Sequence, residues 1–476
     1  MKKQTLSFWL VQNLKPQLSI LFILLLAAGL RLYKLSEMAP FGFDQEYAAN
    51  FAYSVVKDFP IRMVGQGLSL QGLFIGPWYF YFLTPFYMLT NLHPIGGAIG
   101  SVVLGLIIIA VYYFVVKSFF GYKAGLVTAF LRAVSFSAIE TDWATTPAFS
   151  SELAVIIIFW CLFQYWKGNL KIFPLLALIF GLLTSFHPIL FPMYFVFIFI
   201  ILIKRILPPL KTTLISLGLF ILPILPLLVF EYIRKFAMTK VVIDLFTHDS
   251  SKSILNLNRL DMYQRVITAS LEYVLGINAS GLILVLISLV LLSILFFKLS
   301  PAIERNFHLV MLPGTIIIFL LYYLVYPAHV PEYYIGAIHT LFYLYLGGAI
   351  GILFNYSKPV KLLAIILLVN ISFYNINKLV KRWNYPSHTN LAHEDFIVKA
   401  ILDRMPNNDF FVSYITLPGW DFGYPYLFKY YNRIPKKDIL EYPVFTIVSP
   451  LSLSIDSINI SSGNVGLILP RNNYNY

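Results

Sequence analysis

The stretch Leu73-Phe-Ile-Gly-Pro-Trp-Tyr-Phe-Tyr-Phe-Leu-Thr-Pro-Phe-Tyr87 is apolar enough to cross a bilayer, and whether it does decides the topology of the chain. Eleven other apolar segments surround it, at 18–35, 94–116, 124–140, 152–166, 172–187, 189–203, 212–230, 280–297, 307–326, 337–354 and 361–376. A twelfth span at 73–87 would send the Lys117/Lys123 turn to the far side and invert every later loop. Placed in the interface plane, where Trp and Tyr rings are favoured, the segment leaves a consistent pattern. With a cytoplasmic N-terminus, the inner side holds Lys2, Lys3, Lys15, Lys117, Lys123, Lys167, Lys171, Lys204, Arg205, Lys211, Lys298, Arg305, Lys358 and Lys361, with Glu304 the only acid. The short outer connections at 140–152, around His187 and at 327–334 carry no Lys or Arg, but do carry Glu140, Asp142, Glu152 and Glu332. This is the positive-inside distribution. The sequence therefore predicts a polytopic α-helical membrane protein of eleven spans, multi-pass in the cell membrane, with its C-terminus extracytoplasmic.

Composition agrees. Of 476 residues, 59% are hydrophobic and 12% charged, with a mean hydropathy of +0.76, whereas a soluble domain carries about 25% charged residues. The single cysteine, Cys161, excludes a disulfide framework, a cysteine-zinc site and an iron–sulfur cluster. The net charge of +13 forms no basic cluster interleaved with polar surface, so no nucleic-acid partner is expected. Lys2, Lys3 and Lys15 precede a long apolar run with no A-x-A-like cleavage site after it, which reads as a retained first helix. Residues 1–376 form the membrane domain with outer loops 36–93 and 231–278. From 377 to 476 the composition changes to a helical pattern over Glu394–Met405 and β-rich runs at Phe410–Thr416, Val444–Val448 and Val465–Leu469, a small extracytoplasmic α/β domain.

Acids in so apolar a chain are informative, because burying one is costly. The first outer loop opens with Phe41-Gly-Phe-Asp44-Gln-Glu46-Tyr. Asp44 reads either as a general base at the membrane surface or as a helix-capping loop acid. Asp142 pairs with a cation or touches an acceptor. His187, in Ser185-Phe-His-Pro188, and His329, in Tyr326-Pro-Ala-His-Val-Pro-Glu332-Tyr333-Tyr, lie in outer turns; with His339, Arg259 and Arg265 they are candidate phosphate contacts. No ligand pair shows i, i+4 spacing, so neither a divalent metal nor another cofactor is expected. Arg132, in the middle of the third span, calls for a buried partner that the sequence does not name. Arg31 and Lys34 read as snorkelling to the interface. The aromatic wealth of 69–91, with Trp78, Tyr79 and Tyr81, serves as a sugar-stacking surface, an interfacial belt, or both.

A retained, charged N-terminal helix followed by an acidic Phe-Asp-x-Glu loop resembles the C-type (GT-C) glycosyltransferase superfamily. The Gly76-Pro-Trp-Tyr-Phe-Tyr segment and the basic turn Lys117-Ser-Phe-Phe-Gly-Tyr-Lys strengthen the likeness. The branch resembled holds the protein O-mannosyltransferases and the lipid A aminoarabinose transferase, and the likeness covers roughly 18–355. It implies an inverting transfer of a sugar from a polyprenyl-phosphate carrier to a lipid, glycan or protein acceptor on the outer face, with Asp44 as base. Glu46, Trp78, Tyr79, Tyr81, Asp142, His187, His329, Glu332 and Tyr333 are the candidate substrate contacts. The chain departs from the pattern in three places: Gln45 separates Asp44 from Glu46, Ile75-Gly76 stands where relatives place a Lys, and Glu140-Thr-Asp142-Trp follows the third span. The alternative is a transporter or flippase of lipid-linked saccharides, which predicts mid-depth charges and internal repetition. A membrane scaffold working through Gly419-Trp-Asp421-Phe-Gly-Tyr is a third reading.

Overall fold

A computed structural model describes residues 2–68, 71–247, 259–299, 302–326, 330, 334, 336–385, 390–437, 442–454 and 457–470. The opening helix α1 (Lys2–Leu32) leads through α2 (Leu35–Met38) into the outer-loop helices α3 (Phe43–Lys57) and α4 (Trp78–Leu89). The bundle continues with α5 (Ile95–Phe120), α6 (Tyr122–Val134), α7 (Phe136–Trp143), α8 (Ser151–Trp166), α9 (Phe173–Phe186), α10 (Pro192–Lys204) and α11 (Leu210–Ile233). After α12 (Ala237–Thr247) come α13 (Arg259–Leu275), α14 (Gly281–Lys298), α15 (Ala302–Val325), α16 (Gly336–Leu353) and α17 (Lys358–Asn384). The tail adds α18 (Leu391–Arg404) and α19 (Tyr424–Tyr430) around a small sheet.

Each of the eleven apolar segments carries a helix, but six helices are individually long and apolar enough to cross a membrane among the described residues: α5, Pro147–Trp166, α11, α14, α15 and α17. The pair α6–α7 qualifies together, bent by 63°. Gln17–Leu32, Leu170–Phe186, Pro188–Lys204 and Ala337–Leu353 are shorter apolar helices. Helices α11, α14 and α17 turn large apolar side chains outward, including Leu214, Val290 and Phe373. Contiguous apolar surface on this scale is stable against lipid, not water. Helix α4 has 12 residues, a rise of about 18 Å, short of the ~30 Å hydrocarbon core; it does not span.

One end of the bundle gathers the basic turns. Lys167 pairs with Glu304 at 3.0 Å, and Trp166 Nε1 donates to Ile303 O. Lys123 donates to Phe354 O and Asn355 Oδ1, and Lys298 lies over the Tyr356 ring. The loop helices α3 and α4 and the tail pack together at the other end, in one apolar cluster that joins Phe51 and Phe80 to Ile397, Tyr426 and Phe445.

The tail sheet has the order β1-β2-β4-β3, with β1 (Phe411–Thr416), β2 (Val444–Ser449), β3 (Ile460–Ser462) and β4 (Val465–Ile468). Strands β1 and β2 are parallel, in register Phe411 to Val444, and their crossover contains α19. The antiparallel β4 pairs with both β2 and β3. All three β-rich runs read from the sequence are strands; β3 is additional. Helix α17 continues to Asn384, past the boundary at 376. The tail is tied to the loop by a bridge between Pro40 and Asn390 and by Leu391 N–H donating to Ala39 O.

Candidate active site

Helix α3 begins where Gly42 N–H is taken by the Gln45 side chain, a cap that places Asp44 in the first turn. There the helix dipole favours a carboxylate. The Gln45 amide also reaches Thr145 O and Thr146 Oγ1, fixing the turn against the 140s connection. A short antiparallel excursion (Gly65 N–H to Ile75 O, Ile75 N–H to Gln66 O) brings Gln66 back over the turn. Gln66 Nε2 donates to Asp44 Oδ1 at 2.5 Å, and Thr146 Oγ1 donates to Oδ2 at 3.2 Å.

Asp44 is half-buried and lines a hollow of about 420 Å³ with Phe43, Gln66, Thr146, Phe149 and His187. The outer-turn histidine and the loop carboxylate thus meet, although 143 positions of chain separate them. His187 Nδ1 accepts the Ile189 N–H. Gln66 Oε1 is buried with no partner among the described residues, an acceptor available to a hydroxyl.

A second cavity, of about 390 Å³, adjoins the first and shares Ala148 and Phe149 with its lining. It is lined by Arg132, Glu152, Arg265, Ser151, His339 and Tyr343, among others. Ser151 Oγ and His339 Nε2 are buried without partners among the described residues. A cavity with a guanidinium and orphan polar atoms suits an anionic ligand with hydrogen-bonding oxygens.

Arg132 has two acidic partners, Asp142 and Glu152. Its guanidinium donates to both Asp142 oxygens, at 2.8 and 2.9 Å, and to Glu152 at 2.9 and 3.1 Å. The 63° bend at Ser135 swings α7 off the axis of α6 and lets Asp142 reach Arg132, ten residues earlier. The Phe136 N–H freed at the bend is taken by Asn375 Oδ1 from α17. Tyr112 adds a hydrogen bond to Glu152. Gly105 is required here, because a Cβ at that position would lie 2.4 Å from the Asp142 carboxyl.

Several expected roles are corrected by this geometry. Arg31 does not snorkel: it is fully buried and donates to Asp142 at 2.7 Å and to the carbonyls of Ala27 and Ala133. Asp142 is therefore clamped by two guanidiniums and lines neither hollow. Glu46 faces away from Asp44, since residues two apart on a helix point about 200° from one another; it accepts the Gly423 N–H from the tail at 2.9 Å. Trp78, Tyr79 and Tyr81 also lie off the hollow. Trp78 Nε1 donates to Pro223 O, Tyr79 is buried, and Tyr81 meets the backbone of Arg62. The aromatic wall comes instead from Phe43 and Phe149. His329, Glu332 and Tyr333 lie outside the described residues. Arg259 donates to the carbonyls of Tyr323 and Tyr326. No group of three or more His, Cys, Asp or Glu converges as a metal site among the described residues.

No family model and no curated protein sequence matches the chain. Solved structures do. ArnT from Cupriavidus metallidurans bound to undecaprenyl phosphate aligns with a TM-score of 0.58 at 10% identity, covering 94% of this chain and 97% of that one. The Archaeoglobus fulgidus oligosaccharyltransferase in its apo form aligns with a TM-score of 0.54 at 11% identity, over 90% of this chain and 65% of that one. AglB from the same organism, with an inhibitory peptide and a dolichol-phosphate, gives 0.52 at 11% identity, over 91% and 65%. At such identities the likeness is one of architecture: the chain has the GT-C fold.

Proposed function

We propose that the protein is a membrane glycosyltransferase that moves a sugar from a polyprenyl-phosphate carrier to an acceptor hydroxyl on the extracytoplasmic face, with inversion. The observation that carries this reading is the pair of adjoining hollows, one holding Asp44 and the other Arg265, which share Ala148 and Phe149 in their linings. Inversion needs the nucleophile and the leaving group on opposite faces of the anomeric carbon. A sugar straddling Ala148–Phe149 meets a base on one side and a cation on the other.

In this mechanism the acceptor hydroxyl enters beside Asp44 with its proton toward the carboxylate, which Gln66 Nε2 and Thr146 hold in place, while Gln66 Oε1 accepts from a second hydroxyl of the substrates. Asp44 takes the proton as the oxygen attacks the anomeric carbon, and the sugar–phosphate bond breaks. The lipid phosphate leaves with the bonding electron pair toward Arg265, with Ser151 and His339 as further donors. General-base help contributes about 10²–10⁴-fold. Aiming fixed donors at the developing phosphate charge adds to it. His187 completes the Asp44 hollow as a substrate contact. The likeness to ArnT bound to undecaprenyl phosphate supports a polyprenyl-phosphate donor. The clustering of basic turns at the opposite end supports an extracytoplasmic site, a cytoplasmic N-terminus and eleven membrane crossings.

The test uses purified protein in nanodiscs with labelled polyprenyl-phosphate sugars. The expected outcome is cleavage of the sugar–phosphate bond and a product of inverted anomeric configuration. Retention of configuration, or transbilayer movement with the sugar–phosphate bond intact, would overturn the proposal, the latter in favour of a flippase.

A further inference from the structure

The tail grips the helix that carries Asp44 at three points. Phe422 meets Phe43 edge-on at 4.9 Å between ring centroids. Gly423 N–H donates to Glu46 Oε2. Lys429 donates to Asn50 Oδ1 at 3.0 Å and sits 3.9 Å above the Tyr53 ring. At the middle grip two carboxyl groups converge on one glycine. Gly423 has a φ of +98°, and a Cβ there would lie 2.5 Å from Glu394 Oε2 and 2.4 Å from Phe41 O, so no larger residue fits.

Glu394, from α18, is 1% exposed, and its Oε2 has no hydrogen-bond partner among the described residues. As a carboxylate it would be buried with an unpaired oxygen and with a second carboxyl close by, and both features are costly. A neutral carboxyl removes the charge and turns the orphan acceptor into an O–H donor. Glu46, itself 9% exposed, reaches the same glycine from α3, its Oε2 accepting the Gly423 N–H.

We infer that Glu46 and Glu394 hold one proton between them, and that this protonated pair is the joint through which the tail positions the helix bearing Asp44.

The surrounding charges are consistent with such a joint. Asp421 from the tail loop repels a charge on Glu46, whereas Lys429 from α19 attracts one. Burial holds the Lys429 ammonium below its ordinary range, which weakens that attraction. The Tyr414 and Tyr424 phenols face the pair from β1 and α19. Glu37, from α2, faces the adjacent His393. Burial raises both carboxyls above the usual range, and for Glu394 the Glu46 charge adds to it. A carboxyl raised in the folded state contributes stability that is fully present below the ordinary carboxylate value and lost as pH climbs through the raised one. The joint therefore loosens on the alkaline side. Its consequence for transfer rests on Asp44 being the base; the shared proton does not.

Infrared spectra of the full-length protein in nanodiscs, compared with Glu394→Gln and Glu46→Gln, test this without any substrate. The expected result is a protonated-carboxyl C=O band at neutral pH that disappears in Glu394→Gln. In Glu46→Gln the band persists but moves to higher frequency, because an amide oxygen is a weaker acceptor than a carboxylate. A wild-type spectrum identical to that of Glu394→Gln, or a band unmoved in Glu46→Gln, overturns the proposal. Melting temperature against pH reads the positioning role. The wild type should lose melting temperature as pH rises above the ordinary carboxylate range, and Glu394→Gln should not. Parallel slopes contradict the joint, and the Glu46→Gln spectrum decides alone if Glu394→Gln fails to fold.

Discussion

Asp142 and Asp44 both sit where the chain is otherwise apolar, and they are held in opposite ways. Asp142 receives three N–H donors from two guanidiniums, Arg31 and Arg132, at 2.7, 2.8 and 2.9 Å. Asp44 receives one amide and one hydroxyl and faces a hollow. Two arginines neutralise the first carboxylate and occupy its lone pairs, so taking a proton there would break an ion pair. Neutral donors hold the second in place and leave its charge and an oxygen direction available. Such a difference is what the proposed mechanism asks of a structural acid and of a base, and distance to the membrane surface does not reveal it.

The largest expected effect removes the free carboxylate. Asp44→Asn should lower turnover by about 10²–10⁴-fold while leaving the melting temperature unchanged; a matching loss of stability would place Asp44 in the same category as Asp142. Arg132→Met attacks the other side of the comparison. It strands Glu152 and leaves Asp142 with Arg31 alone, and breaking a buried pair costs about 3–5 kcal/mol, to be read as a sharply lowered melting temperature. Gln66→Leu sharpens the role of the neutral donors. A hydrogen bond to a charged group is worth about 1.5–3 kcal/mol, so kcat/KM should fall about tenfold to a hundredfold with little change in stability. Gly105→Ala is the mildest probe, crowding the Asp142 carboxyl. Overpacking of this kind costs about 1–3 kcal/mol, visible in thermal unfolding, with specific activity of the folded fraction intact.

Much of this architecture was legible in the sequence because it rests on period and charge. Apolar runs, basic turns and acidic turns mark helices and separate the two ends without any tertiary information. Asp44 and His187 could be placed at one surface because both lie in turns on the same side. What was not legible depends on a bend and a loop excursion with no local signal. The bend at Ser135 carries neither Pro nor Gly, so a span read as straight leaves Arg132 alone when in fact α7 returns Asp142 to it. Gln66 joins the site through a hairpin-like excursion whose partners lie within the same loop. Glu46 and Tyr79 are candidates by residue type and by nearness to Asp44 or the aromatic run, whereas helical rotation turns Glu46 to the tail and Tyr79 into the core. The signal that could have placed Glu46 was present: a two-residue interval cannot put two acids on one helical face.

The central claim is that one sugar bridges the two hollows, with its phosphate beside Arg265 and its anomeric carbon beside Asp44. A structure of Asp44→Asn trapped with a polyprenyl-phosphate sugar tests it most directly. The account predicts the phosphate against Arg265 and the sugar crossing the Ala148–Phe149 wall, with the anomeric carbon open to the position 44 side. A phosphate seated beside residue 44, or a sugar that never reaches that wall, would contradict it.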